Sequence, residues 1–177
     1  MKQSVKEYFE TVSGELYEQF SALFAEMPVS YTIDGVSFPQ PKDMKYGQML
    51  SLRSELGGTN DYEAALVVGR VMANCDASEL PVMEFMPYVI QVLALVENSI
   101  KQEQKHLDYK PEKDEISAGI DKLSQFKEWG VIDTIAQRMH ILHDAVTELR
   151  YNDVFLMLWK DLEQSKFEKR LMKIKNA

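Results

Sequence analysis

The stretch Leu80-Pro-Val-Met-Glu-Phe-Met-Pro-Tyr-Val-Ile-Gln-Val-Leu-Ala-Leu-Val96 is the most apolar run in this chain of 177 residues. Apolar side chains fill so many positions after Phe85 that a helix here has almost no polar face, which predicts a buried, central helix continuing to about Lys105. The run includes the charged Glu84 and is shorter than the roughly 20 apolar residues of a membrane-spanning helix. It therefore predicts the core helix of a soluble protein, and no membrane partner.

The beginning of the chain predicts a second helix. Ser4 and Glu7 fit a capping box, in which each side chain bonds a free backbone N–H group at the start of a helix. Apolar residues then recur at steps of three and four as far as Pro28, which ends the helix, so one continuous helix is expected. These apolar residues are Val5, Phe9, Val12, Leu16, Phe20 and Leu23.

A short β-hairpin is expected between these two helices. In the segment Ser30-Tyr-Thr-Ile-Asp-Gly-Val-Ser-Phe38, the Asp34-Gly35 pair suits the positive φ angles of a two-residue turn, and β-forming residues flank it. Because a lone hairpin is marginal in water, it must pack on a helix or pair with another subunit. Short helices over residues 42–56 and 60–74 complete this part of the chain.

The chain becomes polar after the central helix. Residues 106–115 are charged and contain Pro111, which predicts a linker. The linker separates a helical core with the hairpin (1–105) from a C-terminal helical region (116–177), with one continuous domain as the alternative.

Three further helices are expected in the C-terminal region. The first ends at Gly130, the second follows an apolar stripe over residues 132–149, and the last is capped by Asn152 or Asp153. The sequence thus predicts a mainly α protein, a helical bundle of about six to seven helices with one short β-hairpin near residues 30–38.

Charge and cysteine content restrict the class of protein. The formal net charge is −8, which disfavours a nucleic-acid partner because such binders need a basic face, although residues 160–177 are locally basic. Cys75 is the only cysteine, which excludes an internal disulfide and favours a reducing compartment. No apolar signal-peptide core follows the first residues. We therefore expect a cytoplasmic protein.

The sequence contains no convincing catalytic motif. Cys75 lies at a predicted helix end, where the helix dipole disfavours a reactive thiolate. The serines lack a nucleophile elbow, and Gly57-Gly58 lacks the rest of a phosphate-binding loop. We therefore predict a protein without catalytic residues and without a cofactor.

The histidines supply the main alternative, a metal-binding protein or a metal-dependent hydrolase. His140 and His143 are one helical turn apart, and Asp144 falls in the same row as His140. Imidazole and carboxylate groups converging from one side can bind a metal ion, but a closed site needs four ligands and no second motif supplies the others. Glu103-x-x-His106 likewise matches only one half of a di-iron motif. A solvated polar edge is the simpler interpretation of these residues.

The last helix is the predicted interaction site. Its first half has a wide apolar face, and its second half is basic and amphipathic, as in helices that bind in a partner's groove. Such a protein could also be a regulatory adaptor that binds an acidic partner through this helix. In a third interpretation the helix packs on the protein's own core with its lysines in water. The candidate residues are Tyr151, Phe155, Trp159, Leu162, Lys166, Phe167 and Arg170.

Four segments of this chain resemble small phage proteins of the tail assembly chaperone families. They are Tyr31-Thr-Ile-Asp-Gly-Val-Ser-Phe38, Tyr46-Gly-Gln-Met-Leu-Ser-Leu52, Phe126-Lys-Glu-Trp-Gly-Val-Ile-Asp-Thr-Ile135 and Tyr151-Asn-Asp-Val-Phe-Leu-Met-Leu-Trp159. The resemblance implies a small, acidic, mostly helical, non-enzymatic assembly factor or virion component. It also implies binding to a tape-measure or other virion protein, and self-association as a homo-oligomer. If a phage encodes the chain, the resemblance implies a location in the host cytoplasm or the virion.

Overall fold

The computed structural model describes residues 3–175, without the side chains at positions 14, 15, 124 and 127. The chain divides by packing into an N-terminal unit, Met1–Met44 with Gln48–Ser99, and a C-terminal unit, Lys45–Gly47 with Ile100–Ala177. The predicted mainly α fold with one small hairpin is confirmed. That residues 106–115 separate two domains stays a prediction. No helix among residues 3–175 has the length and apolar character needed to cross a membrane.

The first part of the chain contains five helices and a two-stranded antiparallel hairpin. Its elements are α1 (Val5–Thr11), α2 (Gly14–Glu26), β1 (Thr32–Ile33), β2 (Val36–Ser37), a 3-10 turn (Pro41–Asp43), α3 (Tyr46–Glu55), α4 (Asp61–Ala73) and α5 (Val82–His106). The central apolar helix predicted from the sequence is α5. It begins in the N-terminal unit and ends in the C-terminal unit.

Helix α1 begins at the predicted capping box. The Glu7 backbone N–H donates to Ser4 Oγ at 3.2 Å, and the Ser4 N–H donates to the Glu7 carboxylate at 3.1 Å. The single helix expected from here to Pro28 is wrong, because Val12 is extended and α2 starts only at Gly14. The apolar period runs through this break without a change of step, and Gly14 weakens helix continuation locally.

The hairpin packs on α5, which was one of the two arrangements expected for it. Asp34 and Gly35 have positive φ angles of 49° and 81°, as the tight turn requires. Phe38 is buried with its ring centroid 4.9 Å from that of Tyr88 in α5, and the Tyr88 hydroxyl donates to the Pro39 carbonyl at 2.9 Å. The buried Ile33 completes the contact with the core.

The core of the N-terminal unit forms around the first half of α5. Fully buried side chains include Phe85, Tyr88, Val89 and Val92 of this helix. Helix α4 comes so close to the turn that follows it that a Cβ added at Gly69 would lie 2.6 Å from the Ala77 Cβ. Other buried members of this core are Phe24, Ile33, Met49, Leu52, Val68 and Val82.

The C-terminal unit contains four shorter or partly exposed elements after α5 and one long helix. These are α6 (Lys113–Ser117), a 3-10 segment (Ile120–Phe126), α7 (Lys127–Met139), α8 (His143–Thr147) and α9 (Tyr151–Lys175). Residues 45–47 join it through a 2.7 Å hydrogen bond from the Tyr46 N–H to the Leu149 carbonyl. Arg138 of α7 binds both carboxylate oxygens of Asp161 in α9 at 2.7 Å.

Several predicted boundaries in this unit are wrong. Gly130 lies inside α7, and the helix expected over residues 132–149 stops at Met139. His140 has a left-handed φ of 54°, and the N–H of Ile141 bonds back to the Ala136 carbonyl, a turn that ends helices. Helix α9 begins at Tyr151, before the predicted caps. Because of these divisions, residues 3–175 contain nine α-helices, more than the sequence indicated.

Candidate protein-binding surfaces

The first half of α9 is turned toward its own unit. Phe155 is buried, and Tyr151 is half-buried with its hydroxyl donating to the Glu103 carboxylate at 2.7 Å. Trp159 is half-buried against His106, with ring centroids 4.1 Å apart, and Leu162 is half-buried as well. Four of the seven predicted interaction residues are therefore largely covered by this unit itself.

The second half of α9 is open to solvent. Phe167 is 56% exposed, Arg170 is exposed, and Lys166 is half-buried and paired with Glu163 at 2.9 Å. Phe167 also shares one helical row with other exposed apolar side chains, opposite the buried face of the helix. We call this set the outer row; its members are Leu156, Phe167, Leu171 and Ile174.

A second exposed apolar surface surrounds Trp129. The Trp129 indole is 56% exposed, and its ring centroid lies 6.2 Å from that of Phe126. Its other neighbour is the His143 ring, which stacks on it at 5.7 Å with an interplanar angle of 22°. Leu123 and Leu142 are also exposed, the latter by 80%. We call Leu123, Phe126, Trp129 and Leu142 the aromatic patch.

The sequence interpretation missed the aromatic patch. It predicted a helix that ends at Gly130, with the apolar residues Ile116, Ile120, Leu123 and Phe126, and identified no exposed surface on it. The available signal was Trp129 itself, three residues after Phe126 in a charged segment with few other apolar residues to cover it. An indole in such surroundings is a common centre of protein interfaces.

Exposed and buried apolar residues are distributed unequally between the two units. Among the described residues, 15 large hydrophobic side chains are exposed, and 12 of them belong to the C-terminal unit. Of the 27 buried hydrophobic residues, only six belong to that unit. The C-terminal unit therefore leaves uncovered much of the apolar surface that a small domain normally buries, as interaction surfaces do.

A basic groove of about 420 Å³ lies beside α9 in the same unit. Four of its cations come from α9, and the segment before α6 supplies a fifth. Two carboxylates and a tyrosine also line it. The lining residues are Asp108, Tyr109, Lys110, Glu112, Lys166, Lys169, Arg170 and Lys173.

A network of hydrogen bonds holds one wall of the basic groove. Lys169 Nζ lies 2.5 Å from the Glu115 carboxylate and also donates to the Tyr109 hydroxyl, which in turn donates to Glu115. The bond from Lys169 chiefly, with those from Tyr109 and the Glu112 N–H, lowers the pKa of Glu115 to about 2. The bonds of Lys169 to Glu115 and to Tyr109 raise the pKa of Lys169. Lys173 pairs with Glu112 at 3.2 Å.

The predicted metal ligands are not brought together. His140 forms the left-handed turn after α7, which breaks the row that was to join it to Asp144. His143 begins α8 and its Nε2 lies 3.0 Å from a carboxylate oxygen of Asp133. Among residues 3–175 there is no group of three or more His, Cys, Asp or Glu side chains that could hold a metal ion. His106 of the half-motif contacts Trp159.

Comparisons with protein-family models, with curated proteins and with solved structures each found no match to this chain. What the surfaces can do must therefore follow from their chemistry. The outer row and the aromatic patch can exclude water against an apolar partner surface, and the basic groove can orient acidic groups beside them.

Proposed function

We propose that this chain is a non-enzymatic protein-binding protein and that its C-terminal unit is the part that binds. The observation that carries the proposal is the concentration of exposed large hydrophobic side chains in a unit with few buried ones. Covering the aromatic patch and the outer row with a partner removes apolar area from water, at about 25 cal/mol per Å². Tryptophan, as at Trp129, is one of the residue types that contribute most at such interfaces, and phenylalanine, as at Phe126, is enriched in them.

The class of protein that we propose is a phage or prophage assembly factor of the tail assembly chaperone kind, or a virion structural component. The resemblance of four segments supports this class, and two of them, residues 126–135 and 151–159, lie in the binding unit. The first of these contains Trp129 of the aromatic patch. The partner would be a tape-measure or other virion protein.

The proposal is tested by purifying a tagged chain from its native source and measuring which proteins remain bound, and in what ratio. Phe126→Ala with Trp129→Ala should reduce the retained partner about tenfold or more, because truncating aromatic anchors is costly. Leu16→Ala with Leu23→Ala is the matched control, since both leucines are exposed on α2 of the N-terminal unit. Equal retention by the two double variants, or a chain that purifies without a stoichiometric partner, would contradict the proposal.

The assembly class has its own test. Co-expression with the tape-measure protein encoded in the same genome should give a stable complex that gel filtration resolves from the free chain. A gene located within a metabolic operon, far from virion genes, would count against the class while leaving protein binding itself intact.

The basic groove favours a second candidate function, a regulatory adaptor that binds an acidic partner. Lys110 and Arg170 line the groove, and both side chains are exposed. Binding through the groove would weaken as salt concentration rises, because exposed charges are screened. Partner retention that is unchanged between low and high salt would exclude this function.

A further inference from the structure

A cavity of about 470 Å³ in the N-terminal unit is lined by three aromatic rings from three helices. Phe9 of α1 lies between Tyr17 of α2 and Tyr62 of α4, with ring centroids 6.0 Å and 5.5 Å away. The two tyrosine planes are tilted by 43° and 53° from that of Phe9. The rings therefore meet at angles along the cavity wall rather than stacking flat, and Val12 adds an apolar side chain.

Polar groups at this cavity are mainly acidic. Glu10 and Asp61 line it together with the single ammonium group of Lys6 and the amide of Asn60. The Tyr17 hydroxyl donates to the Asp61 carboxylate, which fixes one ring against the acidic edge. Burial, with the Asp61 contact, raises the pKa of Tyr17 to about 12, so its hydroxyl remains a donor at neutral pH.

The combination of aromatic rings and carboxylates at this cavity selects for one kind of ligand. Aromatic faces carry negative potential and attract cations, most effectively cations that shed water readily. A quaternary ammonium group spreads its charge over methyl groups, so it suits an apolar cavity with carboxylates at its edge. An anion would meet two carboxylates and one lysine. The Asn60 side chain and Glu63 already satisfy the start of α4 through a capping box, which leaves less there for an anion.

We propose that the cavity formed by Phe9, Tyr17 and Tyr62, with Glu10 and Asp61, is a binding site for a quaternary ammonium group. Its volume falls within the range of small-ligand sites, about 300–1,000 Å³. The proposal concerns the N-terminal unit and is independent of protein binding by the C-terminal unit. It assigns a chemical group, which a free small molecule, a lipid headgroup or a methylated lysine of another protein could carry.

The test compares a cation with its neutral isostere. The full-length ¹⁵N-labelled protein is titrated with choline chloride and, separately, with 3,3-dimethylbutan-1-ol, in which carbon replaces the charged nitrogen. Choline should give saturable amide shifts confined to residues around 9–17 and 60–62. The isostere should bind at least about fivefold more weakly than choline, because it lacks the cation–π attraction. Equal binding of the two would show an ordinary apolar cavity, and absent choline binding would also overturn the proposal.

Variants locate the site. Tyr62→Leu should abolish choline binding, whereas Tyr62→Phe, which keeps the ring, should retain it. Glu10→Gln alters an exposed side chain without disturbing the core and should weaken choline binding severalfold, with Glu26→Gln on α2 as the charge-matched control. The amide spectrum establishes that each variant is folded. Choline affinity unaffected by both Tyr62→Leu and Glu10→Gln would place binding elsewhere and overturn the assignment.

Two further paired comparisons identify the source once choline binds. These are vesicles of phosphatidylcholine against vesicles of phosphatidylglycerol, and a short peptide containing trimethyllysine against its unmethylated form. Preference for phosphatidylcholine indicates a lipid headgroup, and preference for the methylated peptide indicates a modified protein. Choline binding without either preference indicates a free small cation.

Discussion

Glu115 shows how one residue ties a polar segment to a helix. Its carboxylate accepts bonds from Lys169 on α9, from Tyr109 and from the Glu112 N–H. Three donors on one carboxylate stabilise its charged form, which is why its pKa falls from 4.5 to about 2. The sequence suggested only a polar linker here, because the bond from Lys169 comes from a side chain 54 positions away, which no local pattern reveals.

The Glu115 network predicts a defined pH dependence. A lowered pKa in the folded state adds stability that is complete above pH 4.5 and is lost as pH falls toward about 2, where the folded carboxyl also takes up a proton. Replacing Glu115 by Gln should remove this part of the decline in the free energy of unfolding, measured by urea denaturation between pH 5 and about 2. The control variant is Asp114→Asn, which removes a neighbouring carboxylate that makes none of these bonds. If the free energy of unfolding varies with pH in the same way in both variants, the network contributes nothing to the stability.

At the scale of helices and strands, periodicity and caps predicted much of the fold. The capping box at Ser4, the Asp34-Gly35 turn and the core helix after Leu80 were each predicted from local chemistry and are present. The predictions that failed were those of continuous helices through Val12 and through His140. A helical period continues in step through a short break, so the pattern does not show that the backbone has turned.

The break after α7 predicts an unusual effect of glycine. His140 is exposed and holds a left-handed φ of 54°, which costs an ordinary residue about 1–2 kcal/mol. His140→Gly should therefore raise the free energy of unfolding by roughly 0.5–1 kcal/mol, measured by thermal or urea denaturation. Asn74→Gly, at the exposed left-handed residue that ends α4, should change stability in the same direction. If the helix instead continued through residue 140, glycine would lower the stability by a few tenths of a kcal/mol or more.

At the scale of the whole molecule, the sequence predicted a helical interaction protein but not which surface is free. It predicted both halves of α9 as the interaction site, with the densest apolar residues in the first half. Dense apolar residues are also what a core requires, and four of the predicted side chains are largely covered. Composition indicates how much apolar surface exists. Tertiary packing decides where this surface remains exposed, so Trp129 and Phe126 in a charged segment were a signal for the aromatic patch, but the sequence did not show that they stay uncovered.

The unequal burial in the two units predicts unequal local stability. Amides of α5 within the N-terminal unit are surrounded by buried side chains. Among the described side chains of α7 and α8, which leave out position 127, only Ile135, Ala136 and Val146 are buried. In the free chain, hydrogen exchange in α7 and α8 should therefore be at least about tenfold faster than in residues 85–96.

Adding the co-purified partner should slow exchange over residues 123–147 and leave residues 85–96 unchanged, because binding stabilises the segment that it covers. In the double variant Phe126→Ala with Trp129→Ala, adding the partner should no longer slow hydrogen exchange over residues 123–147. Uniform protection in the free chain would mean that the C-terminal unit is stable without a partner, and the physical reason for assigning it a binding role would be lost.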